Sequence, residues 1–256
     1  IITSNNLRHN YLIKEISKIS KKLFVIQECK PILGGINNDF YKKSKTIYNY
    51  FKKVEIAQKK IFKDSKSNYL NLKNVNLLAL NYGDLNHLSL NKINDFLNSD
   101  IYIIFGSSYL RGKLCKFLVR KKAINIHMGI SPYYRGSDCN FWALHDSNNH
   151  LVGATIHYLS KGLDSGKILY HALPNYKKDP FEFSMSSVKI AIDSLSKRIK
   201  NKKIFKIIPK NQKKDLLIRY SRKEEFNQKS IKKFYKIKEN KKIKLNHKLF
   251  KDPYFG

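Results

Sequence analysis

Asn125 and His127 stand two residues apart in the run Ile124-Asn125-Ile126-His127, and a carboxylate, Asp164, lies further on between Gly162 and Gly166. Alternation of this kind is strand-like, so the two polar side chains point to one side and the two isoleucines to the other. An amide and an imidazole over one pocket suit acyl transfer, because Asn can donate to a developing oxyanion and His exchanges a proton near neutral pH. The flanking glycines would let a loop carry Asp164 to that imidazole. There it would orient the ring, favour its charged form and accept a proton from an incoming amine. A plainer reading has Asn125 and His127 satisfying backbone groups at a strand end and Asp164 forming a turn, and spacing alone leaves both readings open. His157, on an apolar stretch beside Ile156, reads as a pocket wall or core residue, and no metal site is expected from it with His127 and Asp164.

The elements that must position these residues follow from hydrophobic periodicity. Apolar stretches alternate with helical patterns, which implies crossover connections, an α/β class and a mainly parallel sheet. Ile1 and Ile2 would close a first strand, and Asn5 or Asn6 can cap a helix with Leu7, Tyr11, Leu12 and Ile16 on its apolar side. Residues 23–26 read as a short strand, 31–35 as a turn, and 39–66 as a long amphipathic helix, intact or broken. Residues 75–80 and 101–105 look like strands covered on both faces, since each is apolar almost throughout. A helix over 88–97 would connect them, and Gly106-Ser107-Ser108 would cap the next helix, over 110–119. Residues 123–127 form the strand at whose C-terminal end the chemistry begins, where open α/β sheets place their ligands. Residues 152–159 and 167–173 read as two further strands joined by a turn. Asp179-Pro180-Phe181-Glu182 is a helix start with Asp as N-cap and Pro at the first position, and the helix should reach Lys200.

The chain has 256 residues, 42% hydrophobic and 12% aromatic, enough to build a real core. No apolar run reaches the length of a membrane-spanning helix. The opening residues carry no leader pattern, and Ile1-Ile2-Thr3 reads as the end of a strand, as though a few residues preceded it. Three scattered cysteines without a CxxC pair fit reduced thiols and a cytoplasmic location. Lys and Arg total 51 against 19 Asp and Glu, a formal charge of +32, with only seven arginines and lysines spread along nearly the whole chain. That distribution favours a solvated lysine coat over a shaped nucleic-acid face, and either would attract an anionic substrate. Residues 1–205 read as a catalytic domain and 206–256 as a lysine-rich C-terminal appendage, with a helical patch at 224–235.

The motif NxHxxxxPxYRG, carried by Asn125, His127, Pro132, Tyr134, Arg135 and Gly136, is followed by Trp142, by GATIH at 153–157 and by GLDSGKIL at 162–169. This ordered set resembles the signature of the formyltransferases that use 10-formyltetrahydrofolate. Their members act on methionyl-tRNA, glycinamide ribonucleotide or amino sugars in one-carbon metabolism. The resemblance is close over residues 100 to 175 and implies a Rossmann-like, mainly parallel open sheet. It also implies a reaction in which a substrate amine attacks the formyl carbon while Asn125 and protonated His127 hold the oxyanion and Asp164 assists amine deprotonation. No metal is implied.

By the same resemblance, the folate pocket falls on residues 106–111 and 160–164, with Tyr109 and Leu110 against the pterin and Gly162 and Leu163 along its polar edge. Arg135 would either bind an anionic part of the substrate or brace the loop. Gly129 and Ser131 depart from the family's usual Ser and Leu. No glycine-rich phosphate loop follows the first strand, which argues against a glycinamide ribonucleotide enzyme; Arg8 and His9 stand there instead and could meet nucleotide phosphates. The segment after Lys206 is too short for the barrel of the tRNA enzymes. A nucleotide-linked amino sugar therefore fits best as acceptor, with charged initiator tRNA as the alternative and a catalytically silent RNA-binding scaffold as the third reading. A homodimer is left open.

Overall fold

A computed structural model describes residues 1–30, 44–63, 67–237 and 254–255. One eight-stranded sheet organises the chain: β1 (Ile2–Thr3), β2 (Leu23–Cys29), β3 (Val75–Asn81), β4 (Ile103–Phe105), β5 (Ile124–His127), β7 (Ala154–Tyr158), β8 (Ile168–Leu173) and β10 (Tyr254–Phe255), in the order β10-β8-β7-β5-β4-β1-β2-β3. From β3 across to β5 every pairing is parallel, as crossover connections require. Beyond β5 the pairings of β5 with β7 and of β7 with β8 are antiparallel, and β10 closes the edge parallel to β8. A second, two-stranded piece pairs β6 (Tyr134–Gly136) with β9 (Arg219–Ser221).

Strand alternation divides the core between the two sheet faces. Val25, Ile103, Phe105, Ile124 and Ile126 join the larger cluster, packed with helices α1 (Leu7–Ser17), α2 (Lys45–Ile61), α4 (Cys139–His145) and α5 (Pro180–Lys200). Ile2, Ile26 and Ile104 face the other way, against α3 (Gly112–Arg120) and a pair of short 3-10 helices. Helix α5 starts as its sequence requires: the Asp179 carboxylate accepts from the Phe181 and Glu182 amides at 2.9 and 2.8 Å, and Pro180 needs no partner there.

The structure revises several expectations. The connection over 88–97 is not an α-helix but a 3-10 segment, Leu90–Leu97, broken by non-helical backbone at Ile93 and preceded by a 3-10 turn at Asp84–His87. Strand β3 is an edge strand, so its apolar residues are half exposed instead of covered on both faces. Ser107 and Ser108 do not cap α3, whose N-cap is Arg111. The long helix expected over 39–66 is described as α2, capped by Ser44; the turn at 31–35 and the helix ends at 39–43 and 64–66 lie outside the described residues.

Residues 206–237, read from sequence as part of an appendage, contribute β9 and helix α6 (Gln228–Lys236). Phe226, Ile231 and Phe234 are buried in the larger core cluster. Tyr50 of α2 sits at the centre of the junction, with its ring 5.6 Å from Phe141, 5.2 Å from Phe181 and 5.1 Å from Phe226. Such edge-on aromatic packing adds to the area buried. Truncation of Phe226 to Ala is therefore expected to cost about 3 kcal/mol. Urea denaturation should show one transition moved to lower denaturant, whereas an early separate step would mean that the C-terminal segment folds on its own.

Candidate active site

Strand β5 delivers Asn125 and His127 to the same side, opposite Ile124 and Ile126, at the point where the sheet changes from parallel to antiparallel. Opposite them, β7 places His157 directly across from Asn125. The Asn125 amide nitrogen lies 3.0 Å from His157 Nε2, and His157 Nδ1 lies 2.8 Å from the Tyr158 carbonyl. A carbonyl can only accept, so Nδ1 carries the proton and Nε2 accepts from Asn125. Burial keeps His157 neutral, lowering its pKa to about 4 against the opposing pull of Asp164. The amide is thus oriented by a neutral imidazole, and its second N–H is left over for a ligand.

His127 has the opposite electrostatics. Its Nδ1 is 3.3 Å from Asp164 Oδ1, and its Nε2 is 3.2 Å from the Tyr134 carbonyl. With an acceptor at each nitrogen, the ring is suited to carry both protons. Burial opposes that charge, but the Asp164 carboxylate outweighs it and lifts His127 well above the ordinary histidine value. Burial likewise works against an ionised Asp164, and His127 reverses the sign and holds the carboxyl below its usual range. Cys139 is buried beside the ring; burial raises its thiol, so it remains uncharged and Asp164 is the anion that matters.

Asp164 reaches His127 through an unusual backbone: its φ is +46°, a left-handed conformation that Asp tolerates better than most residues. The Gly136 amide donates to its Oδ2 at 3.3 Å, and the Arg135 guanidinium donates to the neighbouring Leu163 carbonyl at 2.6 Å. Arg135 therefore braces the loop. Gly166 closes it at a point where a Cβ would fall 1.7 Å from the Tyr158 carbonyl oxygen. Gly129 is similarly constrained, since a Cβ there would lie 2.4 Å from Cys139 Cβ and 2.8 Å from His127 Nε2.

Two approaches lead to this cluster. On one, Tyr109 donates through its hydroxyl to the Lys161 carbonyl at 2.9 Å and ties residues 106–111 to residues 160–164. Tyr109 and Leu163 present exposed apolar surface there, 53% and 38% accessible, beside Gly162. Leu110 does not join them; it is buried in the second core cluster. On the other approach lies a cavity of about 230 Å³ lined by His127, Met128, Arg8, Asp138, Tyr50 and Phe181 among others. Burial lowers the Arg8 guanidinium to about 10 while Asp138 pulls it back up, and its Nη1 donates to Gln58 Oε1 at 2.7 Å. Lys30 and Lys223 act electrostatically on the same Asp138, so three cations gather around one carboxylate. His9 faces away: it is buried against Phe105, takes the Asn6 amide on Nδ1, and is held neutral by burial and then by Arg8 and Lys30.

Two residues of this assembly escaped the sequence reading. His157 reads from sequence as a pocket wall or core residue, and its role as acceptor for Asn125 depends on a cross-strand register that no local pattern reveals. Glu28 is fully buried at the end of β2 and accepts from the Ser108 amide (2.6 Å), the Ser108 hydroxyl (2.8 Å) and the Gly83 amide (2.9 Å), which fixes the loop bearing Tyr109. The signal available was a lone Glu at the end of an apolar strand.

Residues 97–180, which contain this whole strand-loop-hairpin arrangement, match the model of the formyl transferase family. Over that stretch, a third of its length, the chain is similar to the formyl transferases. Solved structures agree on the fold. A phosphoribosylglycinamide formyltransferase from Anaplasma phagocytophilum superposes with a TM-score of 0.52 at 17% identity, over 78% of this chain and 83% of that one. A sugar N-formyltransferase from a Shewanella species gives 0.51 at 15% identity, over 88% and 76% of the two chains. A sugar 3-N-formyltransferase gives 0.50 at 16%, over 88% and 70%. Among the described residues no group of His, Cys, Asp or Glu is disposed to hold a metal ion, and no helix is long and apolar enough to cross a membrane.

The charged pair has a signature in stability. His127, raised above its unfolded value of about 6.5, contributes stability that is full below that pH and is lost as pH rises through the folded value. Asp164, lowered from about 3.9, contributes stability that is present above that pH and is lost as pH falls through its folded value. The pair therefore stabilises most between about pH 4 and 6.5. Asp164→Asn is expected to cost about 3 kcal/mol near pH 5.5. The deficit should shrink towards pH 10, and denaturant melts of both proteins across that range measure it; a pH-independent deficit would contradict the ion pair.

Proposed function

We propose that this enzyme transfers a formyl group from 10-formyltetrahydrofolate to the primary amine of an anionic acceptor, most simply a nucleotide-linked amino sugar. The observation that carries the reading is the buried His127–Asp164 pair beside an Asn125 amide with one N–H to spare. The donor, when bound, supplies a carbonyl carbon open to attack by a neutral amine. The Tyr109–Lys161 bridge, with exposed Tyr109 and Leu163 next to Asp164, offers a flat apolar surface suited to a pterin ring. Asn125 and the His127 imidazolium stabilise negative charge on the formyl oxygen, a hydrogen bond and a fixed positive charge in a site sheltered from water. Asp164 keeps that imidazolium charged and accepts the proton the amine must shed, a proton that balances the one taken up by the folate N10 as its bond to the formyl carbon breaks and tetrahydrofolate departs.

The acceptor side is the cavity reached past His127. Its aromatic wall of Tyr50, Phe141 and Phe181 suits the apolar face of a sugar ring, and Arg8, with Lys30 and Lys223 nearby, suits phosphate. The sugar 3-N-formyltransferase of the same fold was crystallised in the presence of dTDP and 5-N-formyl-THF, which supports a nucleotide on the acceptor. The C-terminal segment contributes two short strands, β9 and β10, and helix α6 to the described structure.

Formyl transfer from 10-formyltetrahydrofolate to a panel of nucleotide-linked amino sugars and charged initiator tRNA is the direct test. Turnover is expected with a sugar nucleotide, and no turnover with any amine would overturn the reading in favour of a silent scaffold. His127→Ala and Asn125→Ala should each lower kcat by about 10² to 10³. Because the amine must be neutral and the imidazole charged, kcat/KM should be bell-shaped in pH, and Asp164→Asn should move its alkaline limb downward.

A further inference from the structure

The loop that presents Asp164 is held from outside the catalytic core by a residue of the C-terminal segment. Gln212 donates from its single amide nitrogen to two carbonyls, that of Asp164 at 2.7 Å and that of Gly166 at 2.8 Å. Its Oε1 is buried with no hydrogen-bond partner, so the amide is committed to its donors. The bond to Asp164 falls on the very residue whose backbone is left-handed, and the bond to Gly166 falls where the loop crosses against Tyr158. Just before Gln212, Lys210 and Ile168 exchange backbone hydrogen bonds at 2.8 Å each, which anchors the segment to β8. Just after it, β9 pairs with β6, the strand whose Tyr134 carbonyl faces His127 Nε2 and whose Gly136 amide donates to Asp164.

We propose that Gln212 is a positioning residue for the formyl-transfer site, fixing the Asp164 carboxylate on His127, so that the segment around 210–221 is a working part of the active site. The inference rests on the reading of His127 and Asp164 given above. A loop released from Gln212 loses its hold at both ends of the Asp164 turn, while Arg135 still grips Leu163; the carboxylate then drifts from the imidazole. The charged and titratable groups facing His127 are Asp164 from the loop, Cys139 from α4 and His157 from β7, with Arg135 beyond His157. Of these only Asp164 is an anion that Gln212 touches, so its movement should be legible in the titration of His127.

The test needs no acceptor. The His127 imidazole is followed by NMR against pH in the wild type, in Gln212→Met, which keeps the volume and removes the donor, and in Asp164→Asn as the reference for complete loss. Gln212→Asn, one methylene too short to reach both carbonyls, serves as a second variant with the amide chemistry retained. The expected result is a His127 pKa lowered by about one unit or more in both Gln212 variants, towards that of Asp164→Asn. With the best acceptor, kcat should fall about tenfold while the KM for the amine holds. A wild-type titration in folded Gln212→Met or Gln212→Asn would overturn the proposal. Failure of the functional reading looks different: His127→Ala would retain full turnover, whatever Gln212 does.

Discussion

A histidinium and a carboxylate, both nearly removed from water, form the interaction on which the rest of the site depends. Each charge alone would be pushed back to its neutral form by burial; together they reverse both shifts. The arrangement persists only if the remaining hydrogen-bonding positions are filled. The Tyr134 carbonyl takes the second imidazole proton and the Gly136 amide takes the second carboxylate oxygen, and both belong to β6. One three-residue strand thus completes both partners of the ion pair, and β9 holds that strand in register.

Two imidazoles on adjacent strands are driven to opposite protonation states by what their nitrogens face. His157 has one acceptor and one donor around it and is neutral; His127 has two acceptors and is charged. The 6.4 Å between their ring centroids also penalises two charges at once. Separate environments for similar groups are how one pocket obtains an oriented neutral amide and a fixed cation side by side. The change from parallel to antiparallel pairing at β5 makes this possible, because the hairpin of β7 and β8 brings the Asp164 loop back over the end of β5.

Much of this was legible in the chain. The alternation at Ile124–His127 announced a shared face for Asn125 and His127, the glycines around Asp164 announced a loop, and Asp179-Pro180 announced the start of α5. The failures have physical causes. The apolar run at 75–80 reads the same whether a strand lies inside the sheet or at its edge, and only the topology decides. The 88–97 connection has helical spacing of apolar residues but settles as 3-10 turns broken at Ile93. Glu28, His157 and Gln212 act through partners distant in sequence, at Ser108, Asn125 and Asp164, and no local pattern encodes such pairings. Leu110 and His9 sit in motif-like positions beside the site but turn into the core, because burial and packing claim them first.

The departure from the family pattern at Gly129 is part of the same packing problem. Gly129 lies against both Cys139 and His127, at distances that leave no room for a side chain. In this chain the space beside the imidazole is therefore filled by the Cys139 thiol, which α4 supplies, instead of by a side chain from the loop itself. Burial raises that thiol, which hydrogen-bonds the imidazole and so adds to the hold that Asp164 has on its protons. A hydroxyl at 129 would have to displace either the thiol or the ring, and displacing the ring breaks the ion pair. The residue types at 129 and 139 are thus coupled through His127.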